Sequence, residues 1–257
     1  MSREDKQGVA IIVILMLLGI SAFALTYKIK PKKYSIDQTS LCVKHEQVKL
    51  KKIILIDKSD TWSNSNIEKM NRWLADIHNN IEMKSQLNIL SLSGDSQSKT
   101  SIKTVFNKCS PGNEENCNAL YENCRDIQRH YKEAFEKPLI EITEMLGRPG
   151  EAKNSPLFET MTQIVDEIES EEAEIHIISD FIENGYKFNF YKKIPTVKKI
   201  MAEYSLPSES KIKIYLHIIE RRKHNRKFLD QVKKTWEEYF AKQGIKVESS
   251  KRFFISD

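Results

Sequence analysis

Short apolar runs alternate with longer stretches of helical spacing along most of this chain. Ile53-Ile54-Leu55-Ile56 is continuously apolar and stops at Asp57. A strand covered by helices on both faces reads this way. Residues 66–85 follow, with Ile67, Met70, Trp73, Leu74, Ile77 and Ile81 at helical spacing. Residues 87–92 alternate and read as a second strand, and residues 102–108 as a short third one broken by Ser110-Pro111-Gly112. A long helix is predicted over 126–146. Another is predicted to open at Ser155-Pro156 and run to about 169, with Ser155 at the cap, Pro156 at the first helical position and Glu159 closing the first turn. Strands are expected at 174–178 and 211–216, helices at 196–204 and 225–243, and a last strand near 245–248 or 252–255. Strand–helix alternation of this kind predicts an α/β fold, a doubly wound and mostly parallel sheet with right-handed crossovers.

The amino-terminal pattern differs. Residues 8–27 carry no charge and have no polar face. A helix of that length reaches across a hydrocarbon core of ~30 Å. The expected organisation is a tail (1–7), a transmembrane helix or signal-anchor (8–27), a linker (28–49) and one α/β domain (50–257) with an insertion at about 107–125. Arg3 and Lys6 precede the segment, while Lys28, Lys30, Lys32 and Lys33 follow it. Counted alone, these charges place the domain in the cytoplasm. Two features oppose them and favour an extracytoplasmic domain. Ala22-Phe23-Ala24 has the pattern of an export-cleavage site. Cys42, Cys109, Cys117 and Cys124 are an even set for disulfides in an oxidising compartment, with three pairings open. Their spacing does not match a zinc site.

Composition removes several functions. Gly is scarce at 8 residues, and no dinucleotide or P-loop glycine motif is present. The net charge of +5 is mild for a nucleic-acid reader. No nucleophile elbow and no paired-histidine metalloprotease motif occurs. His176 and His217 fall inside expected strands and read as packed core. The chain is therefore expected not to be an enzyme.

The constellation that remains lies at strand ends. Asp57, Ser59 and Thr61 are spaced so that their side chains point one way in an extended loop. Ser155 opens a helix and Asp180 ends the strand at 174–178. In doubly wound sheets such loops meet at the switch point above the carboxyl ends of the strands. One set, Asp57, Ser59, Thr61, Ser155 and Asp180, supplies carboxylates and hydroxyls suited to Mg²⁺, with Mn²⁺ and Ca²⁺ as alternatives.

These residues resemble the von Willebrand factor type A domain and its metal-ion-dependent adhesion site, over roughly residues 50–256. Asp57 and Ser59 match the first two positions of its D-x-S-x-S loop, Thr61 stands at the second Ser, Ser155 at the later Thr, and Asp180 at the last Asp. Lys58 inside the loop and the lack of a Gly after Asp180 depart from the pattern. The chain also resembles bacterial proteins with one N-terminal membrane helix, a degenerate site of this kind and a C-x-P-G segment, here Cys109-Ser110-Pro111-Gly112. The resemblance implies a membrane-anchored, single-pass interaction module that docks a protein partner through the metal. The alternatives are a structural component of a membrane assembly with a vestigial site, and a Mg²⁺-dependent phosphoester hydrolase. A basic cluster containing Arg221, Arg222, Lys223, Arg226 and Lys227 is a solvated loop or a contact for lipid or another polyanion.

Overall fold

Strand β1 (Lys51–Asp57) occupies the middle of the sheet, and its burial follows from its composition: Ile54, Leu55 and Ile56 are fully buried. The computed structural model describes residues 14–21, 36–59, 62–92, 102–117, 123–146, 154–168, 172–207, 211–220, 224–249 and 254–255. Helix α1 (Asn64–Asn79) leads to β2 (Gln86–Leu92), and β3 (Ile102–Cys109) turns back beside it. Helices α2 (Cys124–Tyr131) and α3 (Lys137–Leu146) are joined by a π-helical turn over Lys132–Glu136. They are followed by α4 (Leu157–Asp166), β4 (Ala173–Ser179), α5 (Val197–Glu203), β5 (Ile212–Glu220), α6 (Arg226–Lys242), β6 (Lys246–Ser249) and β7 (Phe254–Ile255).

The strand order is β3-β2-β1-β4-β5-β6, with β7 pairing the far end of β5. Among the named strands of the described residues, only the β2–β3 pairing is antiparallel. The expected doubly wound, mostly parallel sheet is thus present. Its order reverses between β1 and β4, where loops leave in opposite directions and open a crevice.

Strand parity divides the core into two layers. Ile53, Leu55, Ile175 and Ile177 face α4, α5 and α6, where Phe158, Met161, Ile200, Trp236 and Tyr239 meet them. Ile54, Ile56 and Ile178 face the other way, toward Met70, Leu74 and Ile77 of α1 and Tyr131, Phe135 and Leu139. Period-two alternation in the strands makes this partition unavoidable. Phe158 stacks on Trp236 with ring centroids 3.8 Å apart, anchoring α4 to α6.

The amino edge of the sheet holds the incoming chain. Cys42 is bonded to Cys109 and Cys117 to Cys124, which resolves the three open pairings. Because β3 runs antiparallel, Cys109 lies opposite Gln86, at the start of β2. The backbone N–H of Cys109 also donates to Ser40 O (2.8 Å), and Leu41 is buried in the α1-side core. Two expectations are corrected here. Residues 36–49 are in part a packed segment of the domain rather than a free linker. Cys109 belongs to strand β3, so the insertion begins after it. Residues 14–21 of the expected membrane span are helical, and Ile14, Leu15, Leu17 and Ile20 stand exposed on it. The rest of that span lies outside the described residues. Among the described residues no helix is long and apolar enough to cross a membrane.

Candidate functional site

Asp57 is the last residue of β1 and is 3% exposed, a depth at which a carboxylate needs partners. It has three. Its Oδ1 accepts from the backbone N–H of Ser59 (2.9 Å). Its Oδ2 accepts from the hydroxyls of Ser155 (2.8 Å) and Ser179 (2.6 Å). Three segments far apart in sequence therefore close on one carboxylate. By strand parity residue 57 continues the row of Ile53 and Leu55, which places it over the α4 layer together with Ser179 of β4.

Ser155 is fixed by more than its hydroxyl. Its N–H and C=O exchange hydrogen bonds of 3.0 Å with Asn184, forming an isolated antiparallel bridge. The helix it was expected to cap begins at Leu157, with Pro156 at the cap and no side-chain cap bond from its own segment. That expectation is overturned, because the Ser155 proton goes to Asp57. The capping carboxylate comes instead from Glu183, whose Oε2 accepts from Phe158 N–H (3.0 Å). Glu183 is 1% exposed, and burial pushes its carboxyl well above the usual range. The N–H groups of Phe158 and Leu157 pull it down, while the neighbouring charges of Asp57 and Glu159 push it further up. A Cβ at Gly185 would run into Glu183 Oε1 and lie 3.2 Å from Pro156 Cβ, so this close approach requires glycine.

Asp180 is also buried, and its Oδ1 accepts from Ile182 N–H (3.0 Å). The next residue, Phe181, has φ of 60°, the left-handed region that glycine favours. The resemblance expects Gly at that position. Here the strained turn is held by two bonds: Phe181 N–H donates to Ser179 Oγ (2.9 Å), and the Trp236 indole N–H donates to Phe181 O (2.9 Å). Lys58, the other departure, directs its Nζ to Met145 O at 3.4 Å.

The structure thus brings Asp57, Ser59 and Ser155 together and places Asp180 one residue past Ser179 at the same rim. Thr61 lies outside the described residues. The set also contains two residues that sequence reading missed. Ser179 was legible in principle, because it shares strand parity with Ile175 and Ile177. Glu183 gave no local signal. Of the basic cluster, Arg226 and Lys227 open α6 and are exposed, while Arg221, Arg222 and Lys223 lie outside the described residues. Among the described residues no group of three acidic, histidine or cysteine side chains is placed to hold a metal. A metal here would therefore depend on hydroxyls.

His176 and His217 are buried, as expected for core histidines, and their Nδ1 and Nε2 lie 3.0 Å apart. Trp73 packs on both rings, with centroids at 5.2 and 4.7 Å, and Tyr215 stacks on His176. Burial lowers them to about 3 for His176, with help from His217 and Lys52, and to about 4 for His217.

No known family profile and no curated protein matches this chain. Solved structures with a similar arrangement include the conserved hypothetical protein BatB from Bacteroides thetaiotaomicron. It is 12% identical, with 79% of this chain and 91% of that one covered and a TM-score of 0.39. Another is an aerotolerance-related membrane protein from Bacteroides fragilis NCTC 9343 with multiple mutations to serines. It too is 12% identical, covering 79% of this chain and 92% of that one, with a TM-score of 0.35. Likeness at that level carries no inference about activity.

Proposed function

We propose that this chain is a membrane-tethered, non-enzymatic binding domain that docks a protein partner at the carboxyl rim of its sheet. A Mg²⁺ held by Asp57, Ser59, Thr61, Ser155 and Asp180 takes part in that docking. The observation that carries the reading is the closure of β1, the segment before α4 and the end of β4 on the Asp57 carboxylate. The donor chemistry fits a hard cation, being oxygen throughout. The one ammonium within the loop, that of Lys58, is engaged with Met145 O. When bound, Mg²⁺ supplies an open coordination position for an acidic group of the partner. The residues themselves bind and orient: Asn184 fixes Ser155, the Ser59 N–H fixes the Asp57 carboxyl, and Trp236 fixes the turn after Asp180. Such preorganisation reduces the ordering cost of association.

Support for the tether and for an extracytoplasmic domain comes from the uncharged residues 8–27, from the exposed apolar helix at 14–21, and from the two disulfides. Calorimetric titration of Mg²⁺ tests the metal. Binding heat is expected for the wild-type chain, weakened in Ser155→Ala and lost in Asp57→Asn. Heat that survives both substitutions refutes this site. A second reading has a specific observation behind it: Asp57 is already satisfied by three protein donors. In that reading the cluster is a structural lock in a membrane assembly, and Mg²⁺ gives no heat although Ser155→Ala still lowers stability.

A further inference from the structure

We infer that the same rim carries a second recognition element, a lysine-lined cleft that receives an acidic segment of the partner protein. This rests on the reading of the rim as a docking surface, but not on the metal. The loop between β4 and α5, which begins with Asp180, encloses a cleft of about 540 Å³. Lys192, Lys193 and Lys199 line it, with Tyr186, Asn189 and Thr196 between them, and no acidic residue is among the lining side chains. Lys187 is neutralised by Glu203 at 3.0 Å. The other three lysines form no ion pair among the described residues.

The wall is ordered by its own hydrogen bonds. Gly185 N–H donates to Phe188 O (2.9 Å), Lys193 N–H to Asn189 O (3.0 Å), and the Asn189 amide to Asn184 Oδ1 (2.8 Å). Three cations thus line one cleft with no ion pair among the described residues, a field that attracts anions. Tyr186, which lines the cleft, is 95% exposed, and Tyr191 of the same loop is 50% exposed, a residue type enriched at protein interfaces. The Tyr191 ring lies 5.7 Å from that of His224, which brings the segment before α6 against this loop.

The position of the cleft decides which anion it takes. The segment nearest the tether is pinned by Cys42–Cys109 at the amino edge of the sheet. The cleft stands at the opposite edge, a strand length of ~20 Å away. The cleft loop leaves the carboxyl end of β4, whereas the segment at Cys42 joins the domain at the amino ends of the strands, which favours a protein over the chain's own membrane. Two disulfides favour an oxidising compartment, which disfavours nucleic acid.

The test uses the full chain in a neutral detergent and a fluorescent glutamate-rich peptide, with EDTA present so that no divalent cation contributes. The triple variant Lys192→Glu, Lys193→Glu, Lys199→Glu is compared with Lys69→Glu, Arg72→Glu, Lys132→Glu. The second set has the same net charge but lies on the elements packed against the other sheet face. Anisotropy should show a loss of ~tenfold or more in affinity for the rim variant. The control should stay within about twofold, as distant surface charges do. Equal losses in both variants, or no peptide binding by the wild type, overturn the proposal. So does rim-dependent binding to vesicles of equal parts phosphatidylglycerol and phosphatidylcholine without peptide binding. Peptide binding in EDTA by a chain that gives no Mg²⁺ heat upholds the cleft and removes the metal. Mg²⁺ heat without peptide binding does the reverse.

Discussion

Two polar clusters are buried against the same central strands, and they differ in what surrounds them. His176 and His217 meet in mid-strand, on the face covered by α1, sealed by Trp73 and Tyr215. Asp57, Ser155 and Ser179 meet at the strand ends, on the face covered by α4. A mid-strand position offers only side chains of neighbouring strands and one helix, so the histidines pair with each other and remain neutral. A strand end is where loops turn, and loops bring donors from distant segments. Burial of polar groups is therefore not by itself a mark of function; position along the strand is what distinguishes the two clusters, and it is the reason a binding role is proposed for the one at the rim.

The largest expected effect that sharpens this contrast is Asp57→Ala. It leaves two hydroxyls and one N–H at the rim without their acceptor, at a cost of about 4 kcal/mol by chemical denaturation. His217→Leu removes one hydrogen bond and keeps most of the volume, so about 1–2 kcal/mol is expected. Equal costs would erase the distinction. Next comes pH. The histidines titrate near 6.5 when unfolded and at about 3 and about 4 when folded, so the unfolded chain takes up protons first. Their contribution is complete above pH 6.5 and is lost as pH falls toward 3. Glu183 has the opposite sign. Its folded value lies above the ordinary 4.5, so stability declines as pH rises past that value. Melting curves across pH should show the acid-side loss reduced by His176→Leu with His217→Leu, and the loss on raising pH reduced by Glu183→Gln. The smallest effect is Ser155→Ala, about 1 kcal/mol, because Asp57 keeps Ser179 and Ser59.

Much of this architecture was legible before the fold was in view. β1, β4 and β5 announce themselves as apolar runs, and Asp57 and Asp180 announce their ends. Ser155 was found for two reasons, of which one failed: it joins Asp57 but does not cap its helix. Glu183 was invisible, since a Glu in a loop after a strand looks solvated until α4 is seen to begin above it. The disulfide pairing was undecidable, because it depends on β3 running back along β2 and delivering Cys109 to the amino edge. The cleft was hidden for a similar reason. Lys192, Lys193 and Lys199 become one surface only when the loop folds on Asn184 and Asn189.

The most direct test of the central claim is a crystal structure of the domain grown with Mn²⁺, with an anomalous difference map at the rim. One peak is expected within reach of Ser59, Ser155 and Asp57, at about 2.1 Å from its ligating oxygens. A map without a peak there at saturating Mn²⁺, with Asp57 still accepting from Ser155 and Ser179, would contradict the metal-assisted docking proposed for this chain.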